Sequence, residues 1–120
     1  MCIRNYSAGA AIAKFRIVKF SADGTVVQGA AATDSLIGVV DIPNAAILND
    51  RVDVVRDDIT QIELGGTVVG GDLLTSDAQG RAIKSTPAAG VNHRIVGIAE
   101  ASGVVGDIIY MLVAPISLQG

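Results

Sequence analysis

Ile12-Ala-Lys-Phe-Arg-Ile-Val-Lys-Phe20, then Ser21-Ala-Asp-Gly24, then Thr25-Val-Val-Gln28, is the most legible stretch of the chain. On an extended backbone Phe15 and Ile17 fall on one side and Lys14 and Arg16 on the other, the period of a half-buried strand. The next four residues carry the chemistry of a hairpin tip. An Asp able to hydrogen-bond its own backbone precedes a Gly able to take a positive φ. Ser76-Asp-Ala-Gln-Gly80 repeats that chemistry between the strand candidates Asp72–Ser76 and Arg81–Lys84. Leu36–Val40, Arg51–Arg56, Ile59–Leu64, Arg94–Glu100 and Asp107–Val113 are further apolar runs bounded by Gly, Asp, Asn or Pro. Nine short strands at this spacing predict an all-β fold, a small barrel or sandwich. One helical turn is expected, over Pro43–Leu48.

Composition agrees. The 120 residues suit one domain with one modest core, and half of them are apolar. These are Val, Ile, Ala and Leu with only 3% aromatics and no Trp, and small branched side chains pack best on a pleated surface. A net charge of −3 and nine scattered Lys and Arg residues supply no basic field, so no nucleic-acid partner is expected. No 18-residue apolar run or signal sequence is present, so neither a membrane partner nor secretion is expected. Cys2 has no second cysteine to bond.

The two hairpin tips belong to a longer echo. Lys19-Phe20, the Gly24 turn, Thr25-Val-Val27 and Leu36-Ile-Gly-Val-Val-Asp41 are matched by Leu73-Leu74, the Gly80 turn, Arg81-Ala-Ile83 and Ile95-Val-Gly-Ile-Ala-Glu100. Fifty-six residues separate Gly24 from Gly80, 59 separate Gly38 from Gly97, and 57 separate Asp50 from Asp107. Drift confined to loops is how preserved elements behave. The pattern predicts two similar β-units, about 12–56 and 67–113, packed about a pseudo-twofold axis in a single domain 12–120. Residues 1–11 are expected to form an extended N-terminal arm. Gly38 and Gly97 read as a bulge or a close backbone approach within strands.

No catalytic apparatus emerges. His93 is the only histidine, in an expected polar loop, and Cys2 lacks an activating neighbour. The aspartates sit at strand ends without calcium-loop spacing. The stretch Gly65–Asp72 lacks the Gly-Lys-Ser/Thr ending of a phosphate loop and reads as paired tight turns around Thr67–Val69. No metal, cofactor or enzymatic activity is expected. Surface remains. Asp107–Val113 is apolar on both faces, which requires a central strand or a covering partner. The termini also offer apolar side chains, so Ile3, Tyr6, Tyr110, Ile116 and Leu118 are the candidate contacts with a partner or another subunit.

Residues 65–82 (Gly-Gly-Thr-Val-Val-Gly-Gly-Asp-Leu-Leu-Thr-Ser-Asp-Ala-Gln-Gly-Arg-Ala), with Ile95–Ala101 and Gly106–Ile109, resemble the capsid cement or head-decoration proteins of tailed bacteriophages. The likeness extends to Ser21–Gly24 and Leu36–Val40. It implies a small β-rich protein, made in the host cytoplasm and carried on the outer capsid surface of the virion. Its implied partners are the major capsid protein and further copies of itself, as a homo-trimer or homo-dimer, and the family carries no catalytic residues. The alternative is a small β-barrel module that binds a carbohydrate or other ligand, which the dearth of aromatics opposes.

Overall fold

The structure, a computed structural model, describes residues 3–42, 45–86 and 92–119, with side chains described within 5–115 of these. Its first half is a closed barrel of β1 (Ile3–Ala8), β2 (Ile17–Ala22), β3 (Thr25–Gln28), β4 (Leu36–Val40) and β5 (Arg51–Val55), in the order β1-β3-β2-β4-β5. The second half is a five-stranded sheet of β6 (Ile59–Glu63), β7 (Leu73–Ser76), β8 (Ala82–Lys84), β9 (Asn92–Ala99) and β10 (Ile108–Gln119), in the order β6-β10-β9-β7-β8. No helix occurs among the described residues.

The two halves are built alike. Around the barrel from β3 the order is β3-β2-β4-β5-β1, and the second sheet from its far edge is β8-β7-β9-β10-β6. The barrel closes through the parallel pairs Ser7↔Thr25 and Ala8↔Val26, and the parallel bridge Leu64↔Ala82 marks the same seam in the second half. Bridges Ile12↔Ala46 and Val68↔Gly103 also correspond. The expected hairpin tips are present, with Gly24 at φ 71° and Gly80 at φ 76°. At the second tip, Asp77 Oδ1 accepts from the amides of Gln79 and Arg81, both at 2.9 Å, as an Asp-led turn should.

Three local expectations in the barrel need correction. Over Ile3–Ala8 the supposed arm is a barrel strand, paired antiparallel to β5 from Ile3↔Val55 to Ser7↔Arg51. Tyr6 and Ala8 are buried, so this segment closes the barrel core rather than reaching out. The strand drawn from Ile12 begins only at Ile17, because Phe15 takes φ 57° and breaks the extended chain. The helical turn over 43–48 is absent from its described part. Ala46 bridges to Ile12, and Ile47–Asp50 is a turn closed by the Asp50 amide on the Ile47 carbonyl at 3.0 Å. Pro43 and Asn44 lie outside the described residues.

Two cores result. Tyr6, Ala8, Ile12, Val18, Val26, Ile37, Val40, Ala46, Val52 and Val54 fill the barrel. The other core gathers Ile62, Leu64, Leu74, Val96 and Met111 of the second half around Ile17, Leu36, Val39 and Val55 from the barrel's outer face. Burying each of those four barrel side chains is worth about 1.5–3 kcal/mol, so this junction is structural.

The junction does not join matching surfaces, as a twofold axis would require. Gly80 O accepts from Ile17 N at 2.7 Å, and Gln79 O accepts from Gln28 Nε2 at 3.1 Å. A Cβ placed on Gly80 would lie 2.9 Å from the Ile17 carbonyl oxygen, whereas one on Gly24 would meet open space within 4 Å. The halves meet head to tail. The aliphatic outer face of the first packs on the core of the second half, and its Ile17 and Gln28 meet the Gly80 turn, without a reciprocal contact at Gly24.

Candidate functional site

β10 lies between β6 and β9, and its register separates its two apolar faces. Ile109, Met111 and Val113 enter the core, while Ile108, Tyr110 and Leu112 point away from it, 44%, 57% and 36% exposed. Leu112 pairs across the sheet with Ile59, which is 51% exposed, and on its other side with Ile98. Ile98 in turn pairs with Leu73. Side chains at directly opposed sheet positions share a face, so Ile59, Leu112, Ile98 and Leu73 form an aliphatic row across four strands. Ile3, Val55, Val39 and Ile17 hold the same register in the barrel. There Val55, Val39 and Ile17 are fully buried at the junction.

A second surface lies on the barrel. Asn5, Tyr6, Phe20, Asp23, Gly24 and Arg56 help line an open cleft of about 640 Å³. The Tyr6 and Phe20 rings meet edge to face at 5.6 Å, Arg56 lies 5.9 Å from the Phe20 centroid, and Arg56 Nη1 donates to Tyr6 Oη at 2.9 Å. These contacts hold the cleft in shape.

Turn tips form a third feature. In Ile47–Asp50, Val69–Asp72 and Val104–Asp107 the last residue's carboxylate accepts from the first residue's amide at 3.0 Å. Its own amide donates back to the first residue's carbonyl, also at 3.0 Å. Asn49, Gly71 and Gly106 supply the positive φ these turns need. Ile47, Leu48, Val69, Val104 and Val105 are thereby held out in solvent. An apolar residue leading a four-residue turn that ends in Asp is the sequence signal that could have found them.

Charged groups serve structure. Arg16 Nη1 lies 3.0 Å from Glu63 Oε1 across the junction. In Asp34, burial favours the neutral acid, but hydrogen bonds from the Ala30 amide, the Lys19 ammonium and the Ala31 amide outweigh it and hold the carboxyl below the usual range. His93 lies in β9 rather than in a loop, half-buried, with Nδ1 2.9 Å from Ser85 Oγ. Among the described residues no three His, Cys, Asp or Glu side chains converge as metal ligands.

Of the five expected contact residues, the two with described side chains have different settings. Tyr110 is exposed on the β10 face, and Tyr6 is buried in the barrel with its hydroxyl against Arg56. Ile3, Ile116 and Leu118 have described backbone positions, paired with Val55, Ile95 and His93, but their side chains lie outside the described part.

No family model and no curated protein matches the chain. Among solved structures it is similar to the N base of head fiber gp8.5 of bacteriophage phi29, with a TM-score of 0.70 and 17% identity over 99% of this chain and 98% of that one. The fold is shared from end to end.

Proposed function

We propose that the protein is a structural component of a phage head, a decoration protein that binds the outer surface of the capsid and stabilises contacts between major capsid proteins. The observation that carries this reading is the fold shared over 99% of the chain with the base of a phage head fibre. The sequence resemblance to cement proteins points the same way. Physically, the chain offers rigid apolar projections on reinforced turns and an uncovered aliphatic sheet face. Many identical copies of a modestly binding clip add up to strong attachment, and a ligand that binds only the assembled shell stabilises it by mass action.

The test is co-sedimentation of the purified protein with expanded and unexpanded capsids. Binding to either, with raised thermal stability of the bound shell, is expected. Recovery of all the protein in the supernatant in both cases would overturn the reading. The ligand-binding alternative would look to the cleft, whose partly exposed phenyl ring, Phe20, is already in contact with Tyr6 and Arg56.

A further inference from the structure

We propose that the barrel cleft is a receptor for a carboxylate, an Asp or Glu side chain of a partner polypeptide, with Arg56 and Tyr6 as its donors and Phe20 as its platform. This rests on the reading of the protein as one that docks on a capsid, and names the chemistry of one contact in that docking.

Arg56 is half-buried on the cleft lining, and among the described residues it makes no ion pair. Arg16 and Arg81, by contrast, each lie against a carboxylate, at 3.0 and 3.1 Å. Taking a guanidinium partly out of water without a counter-ion costs free energy. What holds Arg56 in place is the Phe20 ring, 5.9 Å away, and one bond from Nη1 to Tyr6 Oη. That bond uses a single N–H of the guanidinium fork, and the others have no partner among the described residues. Tyr6 Oη accepts it and makes no other bond among the described residues, which leaves its proton to donate. A fixed guanidinium with a hydroxyl proton beside it is complementary to a carboxylate, whose two oxygens match the planar fork. Phe20, 39% exposed, supplies an apolar surface for the methylene groups of the side chain that carries the carboxylate.

The internal repeat shows that the fold does not require these side chains. Tyr6 and Ile62 hold the same place in their halves, opposite Val52 and Ile109, as do Phe20 and Ser76, opposite Val26 and Ala82. Arg56 follows Val55 as Val113 follows Leu112. Ile62, Ser76 and Val113 are all buried, and Val113 belongs to the core. Two aliphatic groups and a small hydroxyl therefore satisfy these strand positions, and a cleft with an unpaired cation is an addition of the barrel. Asp23 decides which anion fits. It is exposed on the cleft lining and forms no ion pair with Arg56. Its charge opposes a dianion such as phosphate, as does the net charge of −3, whereas a peptide carboxylate brings backbone N–H groups from which Asp23 can accept.

The experiment follows NMR shifts of the whole chain during titration with N-acetylglutamate amide, whose one charge is its side-chain carboxylate, with N-acetylglutamine amide and with inorganic phosphate. Capsid co-sedimentation of the same proteins accompanies it, with melting curves to verify folding. The glutamate probe is expected to shift Arg56 Nε–H and the amides of Asn5, Ser21 and Gly24 saturably, and the glutamine probe to leave them in place. Tyr6→Phe, which keeps the ring in the barrel, should weaken that binding severalfold. Arg56→Gln should abolish it and lower capsid affinity about tenfold. If Arg56→Gln melts early, the native titration and Tyr6→Phe decide. Absence of a saturable glutamate shift overturns the proposal. So does phosphate that binds as tightly as the glutamate probe, which would point to a phosphate site instead. A folded Arg56→Gln that sediments with capsids as fully as the native chain overturns the docking role and leaves the capsid reading intact. A native chain that binds the glutamate probe yet never sediments with capsids overturns the capsid reading alone, and leaves a carboxylate receptor for another acidic partner.

Discussion

Gly38 and Gly97 show how one missing methyl group can govern a sheet. Neither sits at positive φ, so conformational freedom is not their role. A Cβ on Gly38 would overlap the Val55 carbonyl oxygen, and one on Gly97 would overlap that of Leu112. These oxygens belong to backbone that cannot swing aside, so Gly38→Ala or Gly97→Ala should each lower stability by about 2–3 kcal/mol in urea unfolding. Thr75 is the opposite case. It is fully buried and its Oγ1 has no hydrogen-bond partner among the described residues. Thr75→Val keeps the shape and removes the unpaired hydroxyl, and should raise the urea midpoint, by about 1 kcal/mol in stability. Asp34 gives a pH effect of fixed sign. Its folded pKa lies below its unfolded value, so its contribution is complete above the unfolded pKa and is lost as pH falls through the lower, folded one. Asp34→Asn should therefore lower Tm near neutrality and converge with the native chain in acid.

At the scale of elements, the turns were the most legible and β1 the least. An Asp followed by Gly specifies a tip through its own backbone bonds, and both expected tips stand where the sequence puts them. Ile3-Arg-Asn-Tyr-Ser-Ala8 mixes polar and apolar residues on both faces, and it becomes a strand only through pairing with β5 and β3. An exchange between distant segments leaves little trace in local pattern. Removing residues 1–9 should therefore destabilise the whole barrel. It opens the barrel seam, leaves two strand edges unpaired and exposes the barrel core. The truncated chain is expected to lose its cooperative far-UV melt or to aggregate; a native-like melt would show that β1 is dispensable.

For the whole molecule, the relevant fact is that the second core draws on both halves. With Ile17, Leu36, Val39 and Val55 buried under the second sheet, neither half can open without exposing the other's apolar surface. We infer that the two halves behave as one domain. Calorimetry should show a single transition whose calorimetric and van't Hoff enthalpies agree; two resolved transitions would mean independent units. The same junction explains why the expected twofold relation gave way. A head-to-tail contact uses different surfaces on its two sides, and repetition in the sequence says only that the halves are similar, not which faces meet.

Local chemistry written in the chain was enough for the all-β class, the hairpin tips, the strand glycines and the recurrence of one half in the other, because alternation and turn formation act between residues close in sequence. The pairing of β1, the late start of β2, the strand setting of His93, the covered side of β10 and the head-to-tail junction came from contacts between segments tens of residues apart. Such contacts depend on which apolar surfaces find each other once both halves have folded. That is why a strand apolar on both faces could announce a free surface without saying which side it was, and why Tyr110 is exposed while Tyr6 is buried.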